Sequence, residues 1–186
     1  MTFKPVEEYK PGEILIDHQS IKRKIGELAL EIAQKYRGEK LLVVGVLKGT
    51  FKLVADLTTK LHEAGLKNLE ISFITVKSYP NGITADYEPK IIQDMDISPQ
   101  GRNVLIVDDV LDTGRSLQVV HKLINSRGAK SVESLALIDK PDRRQVKYKT
   151  NYIGFTIPDI WIQGFGMDTN EIGRAEQNII VGPYTY

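Results

Sequence analysis

The sequence predicts one α/β domain in which a mainly parallel sheet is flanked by helices. Short apolar runs rich in Val and Ile alternate with longer segments whose apolar residues recur every three or four positions. This alternation is typical of βαβ units. The runs lack alternating polar residues, so we expect strands that are buried on both faces. The length of 186 residues suits a single domain, 1–186, with a substantial core.

The first half of the chain predicts one complete βαβ unit preceded by a helix. Glycines supply the stops of both helices, and Asp or Ser can cap the first. The expected elements are a helix from Asp17 or Ser20 to Gly38, a strand over 41–47, a helix from Thr50 to Gly65 and a strand over 69–76.

The next segment, 78–100, departs from this pattern because prolines and charged residues interrupt it, and only KIIQDM resembles a strand. A long irregular segment in a compact domain is often functional, so we expect a mobile lid loop over 78–88. Regular elements then resume. They are a strand over 103–109, a helix over 114–128, a strand over 131–139 and a short strand near the end of the chain.

After Lys140 the apolar and aromatic residues lose their helical spacing. We therefore expect a core over about 38–140 and a smaller lobe, called the hood, built from the N-terminal segment and about 141–186. Ligands of such sheets bind outside the carboxyl ends of the strands.

Composition excludes several classes of function. No apolar run approaches the roughly 20 residues that cross a bilayer, and the N-terminus lacks the apolar core of a secretory signal. With no cysteine there is no disulfide or thiolate site, and a cytoplasmic location is expected. The formal net charge of +1 gives no bulk attraction to nucleic acid or membrane, and the three histidines lack zinc-site spacing.

The stretch VLIVDDVLDTGRSL, 104–117, places three carboxylates at the end of a buried strand. Asp112 to Ser116 form a strand-to-helix turn whose backbone N–H groups, hydroxyls and helix start can bind a phosphate. Asp108 and Asp109 just before it can bind sugar hydroxyls or a hydrated Mg²⁺. Together these groups predict a ribose 5-phosphate site. For the tripeptide Asp-Thr-Gly taken alone, the alternative interpretation is an acidic turn that caps a helix.

The whole pattern of apolar strand, acidic pair, two apolar residues and DTGRS closely resembles the phosphoribosyl pyrophosphate signature of the type I phosphoribosyltransferases. The resemblance spans roughly residues 12 to 182 and follows the branch that acts on hypoxanthine and guanine. It implies the type I phosphoribosyltransferase fold, with a small hood and a long mobile lid loop. The matching segments are GVLKGTF (45–51), VKSYP (76–80), LIDKP (137–141) and IPDIWIQGFGMDTNEIGR (157–174).

The resemblance implies a reaction in which 5-phosphoribosyl passes from phosphoribosyl pyrophosphate to N9 of a 6-oxopurine, with Mg²⁺ as cofactor, in purine salvage. Asp112 would exchange a proton with the base. The implied phosphate and ribose residues are Asp108, Asp109, Asp112, Thr113, Gly114, Arg115 and Ser116, and the implied pyrophosphate residues are Leu47, Lys48, Gly49 and Arg174. The implied metal residues are Asp108 and Asp109, for the Mg²⁺ at the ribose, and Asp168, near a second Mg²⁺.

For the base, the resemblance implies that Lys140 donates a hydrogen bond to O6 and that Trp161 stacks on the purine. Ile162, Met167 and Asp168 complete the implied purine site, and Lys77, Ser78 and Tyr79 begin the lid. The chain departs from the usual pattern at Thr50, Trp161 and Gln163, near the base pocket or its hinge.

Three alternatives follow from these departures and from the fold. One is a preference for xanthine, and another is a transferase for a different base. The third is a regulator of the same fold that senses phosphoribosyl pyrophosphate and binds nucleic acid, against which the balanced charge argues. The resemblance also implies a homodimer or homotetramer.

Overall fold

The computed structural model describes residues 3–77 and 89–183. In chain order the elements are β1 (Ile14–Ile16), α1 (His18–Lys35), β2 (Leu41–Leu47), α2 (Phe51–Glu63), β3 (Leu69–Lys77), β4 (Lys90–Gln93), β5 (Asn103–Leu111), α3 (Arg115–Ser126), β6 (Ser131–Asp139), β7 (Tyr152–Thr156), β8 (Ile162–Gln163) and β9 (Ile179–Val181). The predicted α/β class is confirmed.

A six-stranded sheet in the order β4-β3-β2-β5-β6-β7 forms the centre of the molecule. All neighbours pair in parallel except β4, which runs antiparallel to β3. Successive residues of β2 point to opposite faces, so Leu41 and Val43 pack with α1 and α2 while Leu42 and Val44 pack with α3. Burying each such side chain contributes about 1.5–3 kcal/mol.

Helix α1 begins where the sequence indicated. Of its two candidate caps, Asp17 is the one used, and its carboxylate accepts hydrogen bonds from the N–H of Ser20 at 2.9 Å and from the Ser20 hydroxyl at 2.8 Å. Gly38 follows the helix with φ +79°, a backbone conformation that favours glycine.

Two strands differ from the sequence prediction. β5 continues two residues further, to Leu111, because its pairing with β6 extends to Leu111 opposite Asp139. Asp108 and Asp109, predicted as the last two residues of the strand, are therefore followed by two further strand residues. β7 pairs with β6 in the central sheet, so this sheet extends beyond the core boundary expected at residue 140.

A second sheet of three strands, in the order β1-β9-β8, joins the N-terminal segment to the C-terminal part of the chain. The predicted lid, 78–88, lies outside the described residues. Within the part of the chain that is described, every helix is too short or too polar to cross a lipid bilayer.

Candidate active site

The carboxyl ends of β2, β5 and β6 meet at one edge of the central sheet because these strands are parallel neighbours. Lys48 and Gly49 follow β2, Asp112 to Ser116 follow β5, and Lys140 follows β6 directly. The fold therefore brings together at one edge three groups of residues that are far apart in the sequence.

Asp108 and Asp109 form an acidic pair near the end of β5, with Asp108 buried and Asp109 half-buried. The N–H of Asp109 donates to Asp108 Oδ1 at 3.1 Å, and the N–H of Val110 donates to Asp109 Oδ1 at 2.9 Å. Burial, followed by the charge of Asp109, raises the pKa of Asp108 well above its usual range. Burial also raises the pKa of Asp109. Two buried acids with raised pKa values favour the binding of a cation or of hydroxyl groups.

This acidic pair makes the stability of the ligand-free protein depend on pH. The folded protein holds a proton on Asp108 more tightly than the unfolded chain does, so the contribution to stability is fully present below the unfolded pKa of about 4. It is lost as the pH rises through the raised folded pKa. Replacing Asp108 with Asn removes this loss and should raise the free energy of unfolding more at about pH 8 than at about pH 4.

Urea denaturation of wild type and Asp108→Asn at about pH 4 and about pH 8 checks this prediction. The gain should be smaller at the lower pH, where the carboxyl is protonated in the folded protein and about half protonated in the unfolded chain. An equal change in the free energy of unfolding at both pH values would show that the effect is not electrostatic.

The turn after β5 is shaped for an anion. Gly114 caps α3 with φ +84°, and a Cβ at this position would lie 3.1 Å from Val146 and 3.2 Å from Arg144. A glycine cap offers no side-chain acceptor to the first N–H groups of the helix, and such a helix start can bind an anion. Beside the turn lies a cavity of about 50 Å³ lined by Asp108, Val110, Leu111, Asp112, Thr113, Gly114, Ser116 and Leu117.

Arg115, the remaining residue of the predicted phosphate turn, directs its Nε to Gln145 Oε1 at 3.1 Å. Its backbone N–H lies 3.4 Å from Thr113 Oγ1, a long hydrogen bond. Arg115 thus lies at the start of α3, as the phosphate turn requires, and its side chain pairs with Gln145.

Two arginines that the sequence did not single out hold this turn. Arg143 Nε pairs with Asp112 Oδ1 at 2.9 Å. Arg144 Nη1 donates to the carbonyls of Leu111, at 3.0 Å, and Asp112, while its Nη2 pairs with the carboxylate of Asp139. The sequence does show an Arg-Arg dipeptide shortly after the end of a strand. The neighbouring residues do not indicate which carboxylates these arginines pair with.

A second cavity, of about 180 Å³, adjoins the turn. Lys140 is only 5% exposed, and its Nζ donates to the carbonyl of Ile160 at 2.7 Å. Burial lowers the pKa of Lys140, while the charges of Asp112 and Asp159 oppose this shift. An ammonium has three donors, so two are left for a ligand. The cavity is lined by Asp109, Val110, Asp112, Lys140, Trp161, Ile162, Met167 and Asp168.

The two cavities are neighbours that share two lining residues, Val110 and Asp112. The smaller one offers the helix start and hydroxyl groups, and the larger one offers an indole ring, a buried amine and apolar side chains. The edge of the sheet can therefore hold a phosphorylated sugar and a flat heterocycle side by side.

The loop after β2 passes directly against the acidic pair. The peptide bond between Leu47 and Lys48 is cis. A Cβ at Gly49 would lie 1.6 Å from Asp109 Oδ2, so no larger residue fits without movement of the loop. On the other side, a Cβ at Gly166 would lie 1.9 Å from the carbonyl oxygen of Gly49. The loop is therefore held between the acidic pair and the segment that contains Gly166.

Lys48, Asp168 and Arg174, which were predicted separately, lie in one ionic network. Arg174 Nη2 pairs with Asp168 Oδ1 at 2.7 Å, and its Nη1 donates to the carbonyl of Gly166 at 2.9 Å. Glu171 Oε2 pairs with both Arg174 Nη2, at 3.1 Å, and Lys48 Nζ, at 3.0 Å. Glu171 was not predicted, because the link that it makes from Arg174 to Lys48 joins two segments far apart in the sequence.

The carboxylates predicted to hold metal lie on two segments, the Asp108–Asp109 pair on β5 and Asp168 in the C-terminal part of the chain. Within residues 3–77 and 89–183 there is no group of three or more His, Cys, Asp or Glu side chains that could hold an ion by themselves. Asp168 Oδ1 is paired with Arg174, and Asp168 lines the same cavity as Asp109. Of the predicted lid residues, Lys77 is exposed at the end of β3, and Ser78 and Tyr79 lie outside the described residues.

Comparison with known proteins agrees with this geometry. The model of the phosphoribosyl transferase domain family matches residues 12–170. The bifunctional protein TilS/HprT of Listeria monocytogenes is 40% identical over 159 residues, which are 86% of this chain and 24% of that protein. This chain thus corresponds to about a quarter of that longer relative.

Two further relatives are matched over most of their length. The hypoxanthine-guanine phosphoribosyltransferase of Bacillus subtilis is 36% identical over 159 residues, 86% of each chain. A crystal structure of a hypoxanthine-guanine phosphoribosyltransferase from Bacillus anthracis superimposes with a TM-score of 0.83 at 34% identity, covering 92% of this chain and 98% of the other. The chain belongs to the phosphoribosyl transferase family.

Proposed function

We propose that this protein transfers 5-phosphoribosyl from phosphoribosyl pyrophosphate to N9 of hypoxanthine or guanine, releases pyrophosphate and acts in purine salvage. One observation carries the proposal. Val110 and Asp112 line both cavities, so a site suited to a sugar phosphate lies directly beside a site suited to a flat base. The name of the Bacillus subtilis relative, which specifies both bases, supports the choice of purine.

In the proposed complex the turn from Asp112 to Ser116 binds the 5-phosphate through the start of α3, and the Asp108–Asp109 pair faces the ribose hydroxyls. The backbone of Gly49, with Lys48 and Arg174, binds the pyrophosphate. These cationic and N–H groups would stabilise the charge that grows on the leaving group. Glu171, which pairs with both cations in the absence of substrate, would give up those contacts.

Magnesium is the proposed cofactor, and the acidic pair fits it. Mg²⁺ usually needs only one or two protein carboxylates, since water and substrate oxygens fill its other positions. Asp108 and Asp109 provide two adjacent carboxylates whose raised pKa values favour a cation. When bound, the ion would neutralise charge on the pyrophosphate oxygens.

The base would be held from three sides. Asp112 lines the cavity and is the proposed acceptor of the purine proton, and Lys140 would donate to O6 through the hydrogens that Ile160 does not use. Trp161 would stack on the ring. Adenine presents an amino donor where a 6-oxopurine presents an acceptor, so Lys140 would disfavour it. Ile162, Met167 and Asp168 complete the lining.

The test is a phosphoribosyl transfer assay with hypoxanthine, guanine, xanthine and adenine in parallel, with and without Mg²⁺. We expect nucleotide and pyrophosphate from hypoxanthine and guanine only when Mg²⁺ is present, and no product from adenine. Fastest turnover with xanthine would move the assignment to the alternative base. No transfer to any of the four purines would refute the proposal.

Replacing Lys140 with Met should raise KM for hypoxanthine by about tenfold or more, the factor expected for loss of a hydrogen bond from a charged donor. Met is similar in length and apolar, so the buried position stays filled. Steady-state kinetics with hypoxanthine and with adenine check the prediction. A uniform loss with both purines would indicate a packing role for Lys140 instead of recognition of O6.

Two expectations from the family resemblance stay predictions. The lid over 78–88, with Lys77, should show slower hydrogen exchange when Mg²⁺, pyrophosphate and a transition-state analogue are added. A homodimer or homotetramer should appear in light scattering of the purified protein at micromolar concentration.

A further inference from the structure

The indole ring of Trp161 is fixed at its polar edge. Trp161 is the single tryptophan of the chain and lines the larger cavity. Its Nε1–H donates to Thr169 Oγ1 at 2.7 Å. Gly182 packs against the ring, since a Cβ there would lie 2.1 Å from Trp161 Cδ1. The N–H of Gly182 also donates to the carbonyl of Trp161 at 2.8 Å. The hydrogen bond to Thr169 and the close contact with Gly182 thus both restrain the ring.

Thr169 is itself held rigidly. It is buried, and it exchanges two backbone hydrogen bonds with Ile172, at 2.9 and 3.1 Å. The two residues between them, Asn170 and Glu171, have φ values of +53° and +65°. Positive φ at both central positions is the geometry of a type I′ turn, which closes a tight hairpin. The acceptor of the indole hydrogen bond is therefore anchored by backbone structure.

We propose that Thr169 is a positioning residue that fixes the plane of Trp161 and thereby sets the affinity for the purine. The inference rests on the proposed function, because it assigns Trp161 to the base. Stacking requires the indole plane to lie parallel to the base, and a ring already held in that plane loses little freedom when the base binds. A phenylalanine at 161 or a valine at 169 could not form this bond.

The same turn also supports the pyrophosphate side of the site. The N–H of Glu171 donates to Asp168 Oδ2 at 2.8 Å, and Asp168 Oδ1 pairs with Arg174. Thr169 follows Asp168 directly in the chain. The wall of the base cavity and the partner of Arg174 therefore share one hairpin.

A double-mutant cycle tests the proposal. Thr169→Val keeps the size of the side chain and removes the acceptor, so it should raise KM for hypoxanthine by about fivefold, as expected for loss of a neutral hydrogen bond. It should change kcat and KM for phosphoribosyl pyrophosphate by less than about twofold. Thr169→Ser keeps the hydroxyl and should restore the wild-type KM for hypoxanthine.

The second arm of the cycle uses Trp161→Phe as its background. Phenylalanine has no ring N–H, so adding Thr169→Val to this variant should leave KM for hypoxanthine unchanged. The same fivefold loss in both backgrounds would overturn the proposal, because Thr169 would then act through the packing of its hairpin. An unchanged KM in Thr169→Val alone would overturn it as well.

A ligand-free measurement separates this inference from the proposed function. Because the chain has one tryptophan, its indole N–H gives a single signal in a ¹⁵N–¹H spectrum. Thr169→Val should shift that signal and speed its exchange with water, while Thr169→Ser should leave it near the wild-type position. If wild type transfers phosphoribosyl but the indole signal and KM do not respond to Thr169→Val, the positioning role alone fails. If wild type transfers to no purine, the proposed function fails whatever the spectrum shows.

Discussion

Replacing Asp112 with Asn should lower kcat for phosphoribosyl transfer to hypoxanthine by about 10²- to 10⁴-fold, the range that a positioned general base contributes. Asparagine keeps the shape of the side chain and one acceptor oxygen, but it cannot take a proton from the purine. Binding of phosphoribosyl pyrophosphate should weaken much less, because the backbone of the turn and the start of α3 are unchanged.

The position of Asp112 supports this expectation. Its side chain is 38% exposed and lines the base cavity, and Arg143 Nε holds Oδ1 at 2.9 Å. One oxygen is thus oriented by the arginine, which leaves the other for the base. In the proposed reaction, Arg143 would therefore act on the purine through Asp112.

Steady-state kinetics for kcat and calorimetry for phosphoribosyl pyrophosphate binding measure the two effects separately. The matched control is Asp142→Asn, which removes a carboxylate from an exposed position nearby and should keep kcat within about twofold of wild type. If Asp112→Asn also keeps the wild-type kcat, Asp112 is not the proton acceptor.

The sequence predicted the regular elements well where one local signal sufficed. β2 has the predicted bounds because an apolar run between turn residues can hardly be anything other than a buried strand. β7 was placed in the hood, since no helix precedes it and only its pairing with β6 reveals that it extends the central sheet. Strand pairing is a property of the tertiary structure, and a single segment does not encode it.

In the candidate site, too, local motifs could be predicted from the sequence and contacts between segments could not. Residues in recognisable motifs, such as the turn from Asp112 to Ser116 and Lys140, lie together at one edge of the sheet. Thr169 and Glu171 carry no local sign of their roles, because their partners are an indole eight residues away and a lysine on another loop. The side chains that orient the predicted residues thus became visible only through contacts between separate segments.

A second large loss of activity is expected when Gly49 is replaced by Ala. A methyl group at this position would lie 1.6 Å from Asp109 Oδ2 and 2.4 Å from Asp109 Cγ. The loop cannot retreat in the other direction, because its carbonyl oxygen already packs closely against Gly166. Gly49→Ala should therefore displace both the loop and the acidic pair, which are the proposed pyrophosphate and ribose sites.

Displacement of this size should lower kcat/KM for phosphoribosyl pyrophosphate by about 10²-fold or more, since misplacement by about 1 Å costs that much in an enzyme site. Gly26→Ala is the matched control, because Gly26 lies inside α1 and a Cβ there meets no atom within 4 Å. It should stabilise the protein by up to about 1 kcal/mol through helix propensity and leave kcat/KM unchanged. Thermal unfolding of both variants separates a damaged site from a damaged fold. If Gly49→Ala is folded and still binds phosphoribosyl pyrophosphate as wild type does, the loop after β2 is not part of the pyrophosphate site, and the close approach to Asp109 serves only packing.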